Sequence, residues 1–419
     1  MNVGKNTALF FGLMLTMVLI PSPANTAGFA EFNKGAALRQ NVLLFRWPSG
    51  LEKTFQQERY FGISETRMRF HASAKRDNAV LNAALETRMN FNSSSPGVFG
   101  IFGQEGSLLG QSHPLEHWDL TDDFITGSTT FMSARLDRLD ITWRLGSVDI
   151  DMGRQPMSLG TSHFIGVLDV VAPFAPGDLD ATYKPGVDAV RVRRGIGMTG
   201  EAEIIAAGSK RWEDGALLGR IRSSIGELDV ELVGGRFRRR AFGGIGWEGG
   251  SSPFGLWGEM ALFERRKTQE VLHGGWSKAA FSGVAGLDYY IEADFIIGGA
   301  LMFQDFGVRD PEDLSIVYSD APFREGWVFL GSASYAVVTI SRELHSLVQG
   351  NAAGLVNLID GSTLWQPRLT ISTGDNTDLC LYGWIAAGAK PVVNRTTLKL
   401  RSEFGMMPDG AGFYGRWFF

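Results

Sequence analysis

"GFYGRWFF", Gly412 to Phe419, ends the chain. In strand geometry successive side chains point to opposite faces. Phe413, Gly415, Trp417 and Phe419 therefore share one face, and Tyr414, Arg416 and Phe418 share the other. The first face is apolar with an aromatic ring at each end. That is the pattern of a strand with one side against lipid, bounded by interfacial rings. An ordinary core strand that happens to come last has the same parity, so the rest of the chain decides between the two.

The opposite end carries Lys5, an uncharged run from Thr7 to Ile20, and then "PSPA", with Ser22 and Ala24 at the small-residue positions of a cleavage site. This reads as a secretory signal peptide over residues 1–24, cut after Ala24, with Ala27 as the other choice. The run is too short for a transmembrane helix. Cys380 is the only cysteine. An intramolecular disulfide is excluded, so an exported chain of about 395 residues must be held by burial or by a closed hydrogen-bond network.

No linker, Pro/Ser-rich joint or charge block divides residues 25–419, which read as one domain. No second apolar run reaches spanning length, which excludes a helical membrane protein. The net charge of −5 gives no basic face for nucleic acid.

The periodicity is two almost throughout. Glu65, Arg67, Arg69 and His71 alternate with Thr66, Met68 and Phe70; Glu86 and Arg88 alternate with Leu85, Thr87 and Met89; Asp149 and Asp151 alternate with Val148, Ile150 and Met152. Arg191 and Arg193 alternate with Val190 and Val192, Arg220 and Arg222 flank Ile221, and Asp229 and Glu231 flank Val230. A soluble sandwich also alternates. Here, however, the polar faces are Arg paired with acids, and segments run about ten residues, the length that crosses a membrane at a tilt.

The segments fall near 38–47, 61–74, 79–91, 128–144, 147–155, 187–194, 200–208, 215–224 and 227–237. They continue at 241–248, 254–265, 279–290, 293–305, 326–336, 340–350, 362–373, 377–388 and 411–419. That makes eighteen strands, with sixteen as the alternative because 337–358 is ambiguous. Tight turns at Arg76–Asn78, Leu145-Gly146, Ile225-Gly226, Ile291-Glu292 and Gly374–Asn376 alternate with long connections at 92–127, 156–186, 306–325 and 389–410. Short periplasmic turns alternating with longer extracellular loops predict a closed antiparallel transmembrane β-barrel, all-β, in a Gram-negative outer membrane. A sheet in lipid cannot leave an edge open, so the last strand must zip onto the first. Phe413, Trp417 and Phe419 then form an assembly signal.

The aromatic terminal strand resembles the assembly signal of Gram-negative outer-membrane barrels. "VDIDMGRQPMSLG" (148–160), "KPGVDAVRV" (184–192), "LVNLIDGSTLWQPRLTISTGDN" (355–376) and "SEFG" (402–405) are similar to porin-like barrels, loosely of the alginate-export type. The resemblance implies insertion by the barrel-assembly machinery with periplasmic chaperones, and contact with outer-membrane lipid and lipopolysaccharide.

Little enzyme chemistry is legible. His113 and His117 stand among Glu116, Asp119, Asp122 and Asp123, but no spacing fixes a metal geometry, and the stretch reads as a solvated acidic loop. The tip "RFRRRAF" (236–242) reads either as a soluble hairpin or as a contact for lipopolysaccharide phosphates. No catalytic residue, cofactor or metal is assigned. The predicted role is a channel for passive passage of small hydrophilic solutes. An export duct working with periplasmic partners is the alternative, and an enzyme or adhesin ranks last.

The candidate pore-lining residues are Arg67, Arg69, Glu86, Arg88, Asp149, Asp151, Arg191, Arg193, Arg220, Arg222, Asp229 and Glu231. A tight hairpin register puts Arg222 opposite Asp229 and Arg220 opposite Glu231. Asp149 and Asp151 fall near Arg193 and Arg191, leaving Arg67 and Arg88 as surplus cations. The stretch 161–183 holds Phe164, Ile165, Val167, Leu168, Val170, Val171 and Phe174, too apolar for a water-exposed loop. It is expected to fold into the barrel mouth, with His163, Asp169, Asp178 and Asp180 at a constriction. A contact with a neighbouring protomer in a homo-oligomer is the other reading.

Overall fold

The computed structural model describes residues 31–49, 52, 58–93, 112–175, 182–266, 278–393 and 398–419. Residues 1–24, read above as a signal peptide, and Asp178 and Asp180 lie outside them.

Eighteen antiparallel strands follow one another around a closed wall. The first nine are β1 (Glu31–Arg46), β2 (Tyr60–Arg76), β3 (Ala79–Asn92), β4 (Thr130–Leu145), β5 (Val148–Pro156), β6 (Gly186–Ile196), β7 (Gly200–Ala207), β8 (Ala216–Ile225) and β9 (Leu228–Phe237). The second nine are β10 (Arg240–Ser251), β11 (Phe254–Glu264), β12 (Ala279–Glu292), β13 (Phe295–Gln304), β14 (Ser334–His345), β15 (Val348–Asn357), β16 (Thr363–Gly374), β17 (Thr377–Ala387) and β18 (Asp409–Phe418). A further short strand, Thr121–Thr126, pairs with the start of β4.

The terminal strand closes the wall. β18 pairs with β17 on one side and with β1 on the other, from Ala37 opposite Phe418 to Arg46 opposite Asp409. Phe419 adds two backbone hydrogen bonds to Ala36, at 2.8 and 3.0 Å. The backbone groups of both terminal strands are thereby paired, as burial in lipid demands.

Alternation sorts the side chains. Leu44, Leu217, Leu232, Leu262, Leu301 and Ile385 point outward and are exposed. The alternate residues of the strands point inward, among them Leu43, Leu218, Val233 and Phe263 toward the long-loop end and Arg39, Glu65 and Arg220 deeper in the barrel. An apolar exterior with a polar interior reverses the usual order of a soluble sheet and matches a wall in lipid. In the last strand Phe413 is exposed and Tyr414 is fully buried, so the parity of the terminal aromatics is the one set out above.

One end carries tight turns. Gly146 and Gly226 sit at φ +65°, the left-handed region where a Cβ is costly, and each makes its hairpin possible in two residues. Long connections occupy the other end. One of them, 305–333, holds two single-turn helices, α1 (Leu314–Val317) and α2 (Ala321–Arg324).

Two boundaries correct the sequence reading. The strands expected at 326–336 and 340–350 are β14 and β15, displaced toward the C-terminus, with the turn at Ser346-Leu347. The misleading signal was "WVFL" (327–330). Trp327, Val328 and Leu330 are buried, but inside the mouth of the barrel: Trp327 packs on Phe237, Phe263 and Phe306 at centroid distances of 5.6, 5.0 and 5.1 Å. The turn expected at Ile291-Glu292 is Ala293-Asp294, because a bulge between Tyr290 and Glu292 lengthens β12.

Candidate functional site

The connection after β5 turns inward. Met157, Leu159, Ile165, Val167, Leu168, Val170 and Val171 are buried and join one apolar cluster with the inner wall. That burial draws the loop in, and one carboxylate fixes its path. Glu259 of β11 is fully buried and accepts backbone N–H bonds from Thr161 (2.6 Å), Ser162 (2.6 Å), Val167 (2.6 Å) and Leu168 (3.0 Å). Glu231 takes the N–H of Gly160 at 2.9 Å. A loop in the lumen lacks ladder partners, and these acids satisfy donors that would otherwise be orphaned.

His163 lies near the loop's tip. Its Nδ1 is 2.9 Å from Asp288 of β12, its Nε2 is 3.0 Å from Glu248 of β10, and its ring packs 5.0 Å from Trp257. Asp169 does not line a water-filled constriction. It is largely buried in an ion pair with Lys184, and burial pushes its carboxyl up to about 6 against the pull of that ammonium. On the way back to β6, Thr182 accepts from Arg416 of β18 at 2.8 Å, and the Tyr183 ring lies 4.4 Å under the Arg69 guanidinium of β2. The loop thus crosses the lumen.

Between the tip, His163 and Phe164, and the inner face of β14–β17 remains a gap of about 360 Å³. Thr339, Ser341, Asn351, Gln366, Arg368 and Tyr382 line the wall side. Hydroxyls and amides dominate this arc, and Arg368 is its one charged side chain. It bonds to Cys380 Sγ at 3.2 Å and to the Tyr414 hydroxyl, and among the described residues it has no acidic partner.

The opposite arc is an ion-pair lattice. On β1–β4, Glu65 meets Arg39 at 2.5 Å, Arg67 at 3.2 Å and Arg88 at 3.8 Å; Glu86 meets Arg88 at 3.3 Å and Arg67 at 3.7 Å; and Arg69 reaches Asp137 at 2.6 Å. Arg67 and Arg88 are therefore not surplus cations; each bridges Glu65 of β2 and Glu86 of β3. On β5–β9, Asp149 faces Arg193 and Asp151 faces Arg191 in the register. Arg193 binds Asp151 at 3.0 Å and Asp149 at 3.6 Å, while Arg191 turns to Glu203. Arg220 sits between Glu203 at 3.2 Å and Glu231 at 2.6 Å.

The hairpin register differs from the expected one. Glu231 lies opposite Arg222 and Asp229 opposite Ser224, because the turn is Gly226-Glu227 and moves the partners by two. The Arg220–Glu231 pair survives as a diagonal contact. Arg222 instead reaches Glu201 at 3.8 Å, and Asp229 takes the Ser224 hydroxyl at 2.5 Å.

Two further readings change. The stretch with His117 is solvated only in part: His113, His117, Asp119 and Asp123 are exposed, but Glu116 binds Arg135 at 2.5 Å, and the N–H groups of His117 and Trp118 donate to Asp188, itself held by Arg154. At the basic tip, Arg239 pairs with Asp214 at 2.7 Å and Glu213 at 2.9 Å, Arg238 donates to the His113 carbonyl, and Arg240 is buried. Neither reading of the tip, free hairpin or phosphate contact, foresaw this pairing. Sequence reasoning also missed Glu259, although a lone acid within "GLWGEMALF" (255–263) was a visible signal.

No protein-family model matches the chain, and no curated protein matches it. Solved structures do. OccAB1 of Acinetobacter baumannii, 8% identical, superposes with a TM-score of 0.58 over 94% of this chain and 98% of that one. OccAB3 of the same organism, 10% identical, gives 0.55 over 93% and 99%. OccK11 (OpdR) of Pseudomonas aeruginosa, 11% identical, gives 0.54 over 93% and 97%. At these identities the likeness is one of fold, an eighteen-strand closed barrel.

Proposed function

We propose that the chain is a channel of a Gram-negative outer membrane for passive passage of small hydrophilic solutes. The observation that carries this reading is the gap between the loop tip and the hydroxyl- and amide-lined wall. It lies inside a barrel whose outside is apolar, and barrels of this strand number are wide enough for an aqueous path. The fold of outer-membrane porins supports the same reading. The short-turn end then faces the periplasm and the long loops face outward. Delivery by periplasmic chaperones, insertion by the barrel-assembly machinery and contact with lipopolysaccharide belong to the same proposal, as does the absence of an enzymatic role. The finer resemblance to alginate-export barrels rests on the quoted stretches alone.

Charge placement sets the preference. The lattice of β1–β9 is largely self-compensated, whereas Arg368 presents a guanidinium with neutral partners to the gap. Charges at a narrow point select permeants, so anions are favoured. The test is purified protein in a planar bilayer. Discrete open steps are expected, with a reversal potential on the anion side that moves toward cations in Arg368→Gln. A silent protein would overturn the channel reading; unchanged selectivity in the variant would remove Arg368 from it.

A further inference from the structure

The wall has a weak seam beside the gap. Between β16 and β17 the ladder pairs Trp365 with Ile385 and resumes at Arg368 with Tyr382. The two positions between, Gln366 opposite Trp384 and Pro367 opposite Gly383, are unpaired in that ladder. Proline has no N–H to donate, which is why it is rare inside sheets. Opposite it stands a residue with no side chain: a methyl built on Gly383 would lie 3.7 Å from Pro367 Cγ and 3.3 Å from the Gly410 carbonyl. On the lipid face only the proline ring covers the backbone here.

Open space abuts this point on both sides. Inside is the 360 Å³ gap. Outside, on the lipid face, a groove of about 720 Å³ is walled by Ile340, Leu344, Leu369, Leu381 and Ile385. The two spaces share seven lining residues, among them Ala352, Pro367, Arg368, Tyr382 and Gly383. Ala352, Pro367 and Gly383 lie in one row across three strands, so the largest side chain of that row on the lipid face is a proline ring. Each side also carries a guanidinium without an acidic partner among the described residues. Arg368 lies on the inner side. Arg342 lies on the outer side, at the groove's short-turn end, with its guanidinium 5.0 Å over the Phe295 ring.

We infer that the seam at Pro367 and Gly383 is a side door through which an anionic amphiphile, a single alkyl chain with a charged head, leaves the lumen for the membrane. The tail enters the apolar groove first. The head passes from Arg368 to Arg342, so its charge meets a cation on both sides of the wall. This inference rests on the channel reading, and the two fail separately.

The experiment measures uptake of a fluorescently tailed decyl sulfate by cells carrying the chain, alongside single-channel conductance of the purified protein in potassium chloride. Pro367→Val restores the missing donor and Gly383→Val fills the floor of the groove; both face lipid. Either substitution is expected to bring uptake down to that of cells without the chain, with conductance held. Arg342→Gln leaves the ladder as it is and is expected to slow uptake of the sulfate, but not of an uncharged alkyl glycoside. It decides the matter if the valine variants do not assemble. Uptake that stays at the unsubstituted rate in seam variants that conduct, or in Arg342→Gln, overturns the side door. Loss of conductance in the unsubstituted protein overturns the channel instead.

Discussion

The carboxylate of Glu259, on the wall, accepts the backbone N–H of Val167, on the inward loop, at 2.6 Å. Three more amides converge on the same two oxygens. Glu259→Ala leaves all four without that acceptor, and a buried unsatisfied donor costs about 1–3 kcal/mol. The docked loop cannot bear several such losses, so the variant is expected to conduct more, with noisier open levels and a lower melting temperature. Conductance equal to that of the unsubstituted protein would mean that apolar burial alone holds the loop.

Arg220 and Arg193 occupy comparable places in the lattice but differ in burial. Arg220 is buried between Glu203 and Glu231, both nearly inaccessible. Among the described residues, Arg220→Ala leaves Glu203 with Arg191 and Glu231 with only the Gly160 N–H, and removing one partner of a buried ion pair costs about 3–5 kcal/mol. A large fall in melting temperature is expected. Arg193 is partly open to water, so its loss is expected to cost less than that of Arg220. The double variant Arg191→Ala with Arg193→Ala is expected to shift the reversal potential toward cations in a salt gradient. A reversal potential that stays put beside a lowered melting temperature would leave this part of the lattice a structural role only.

Deleting Phe419 removes both backbone bonds to Ala36 and one apolar ring from the outer face. The truncated chain is expected to accumulate in the periplasm, degraded or aggregated. Normal outer-membrane levels with heat-modifiable migration would show that closure does not depend on the terminal residue.

Asp169 gives the loop a pH dependence. Its carboxyl is held at about 6 in the folded protein, above the ordinary 3.8. The docked state therefore binds a proton that the released state gives up between those values. The contribution of Asp169 to docking is full below the ordinary value and is lost as pH rises through about 6. Amides of 167–171, corrected for intrinsic exchange, should be better protected at pH 5 than at pH 7.5. In Asp169→Asn that difference should shrink. Lys184 and Glu259 face the same carboxyl, and a difference that persists in the variant would belong to Glu259.

The strand number, the closure of the last strand on the first and the inward turn of 161–175 were legible, because each follows from alternation or from apolar residues placed where water would otherwise meet them. What was not legible depended on partners distant in sequence. Arg67 and Arg88 read as surplus because Glu65 and Glu86 serve three cations each only once the strands lie side by side. "WVFL" reads as a strand or as a plug with equal right, since both bury it. The pairing of Glu231 turned on which two residues make the Gly226 hairpin, a shift of two that alternation cannot detect. Arg368 stood out only after the other lumen arginines nearby had found their acids.

Thr182 meets Arg416 on β18, and Tyr183 meets Arg69 on β2; β1 lies between those strands. The returning arm of the loop is thus a tie-rod across the joint where the two ends of the chain meet. Shortening it to widen the passage would also loosen that joint, and late zippering of β1 to β18 would slow. Variants trimmed at 182–183 are therefore expected to show their first defect as a delay in assembly, ahead of any change in flow.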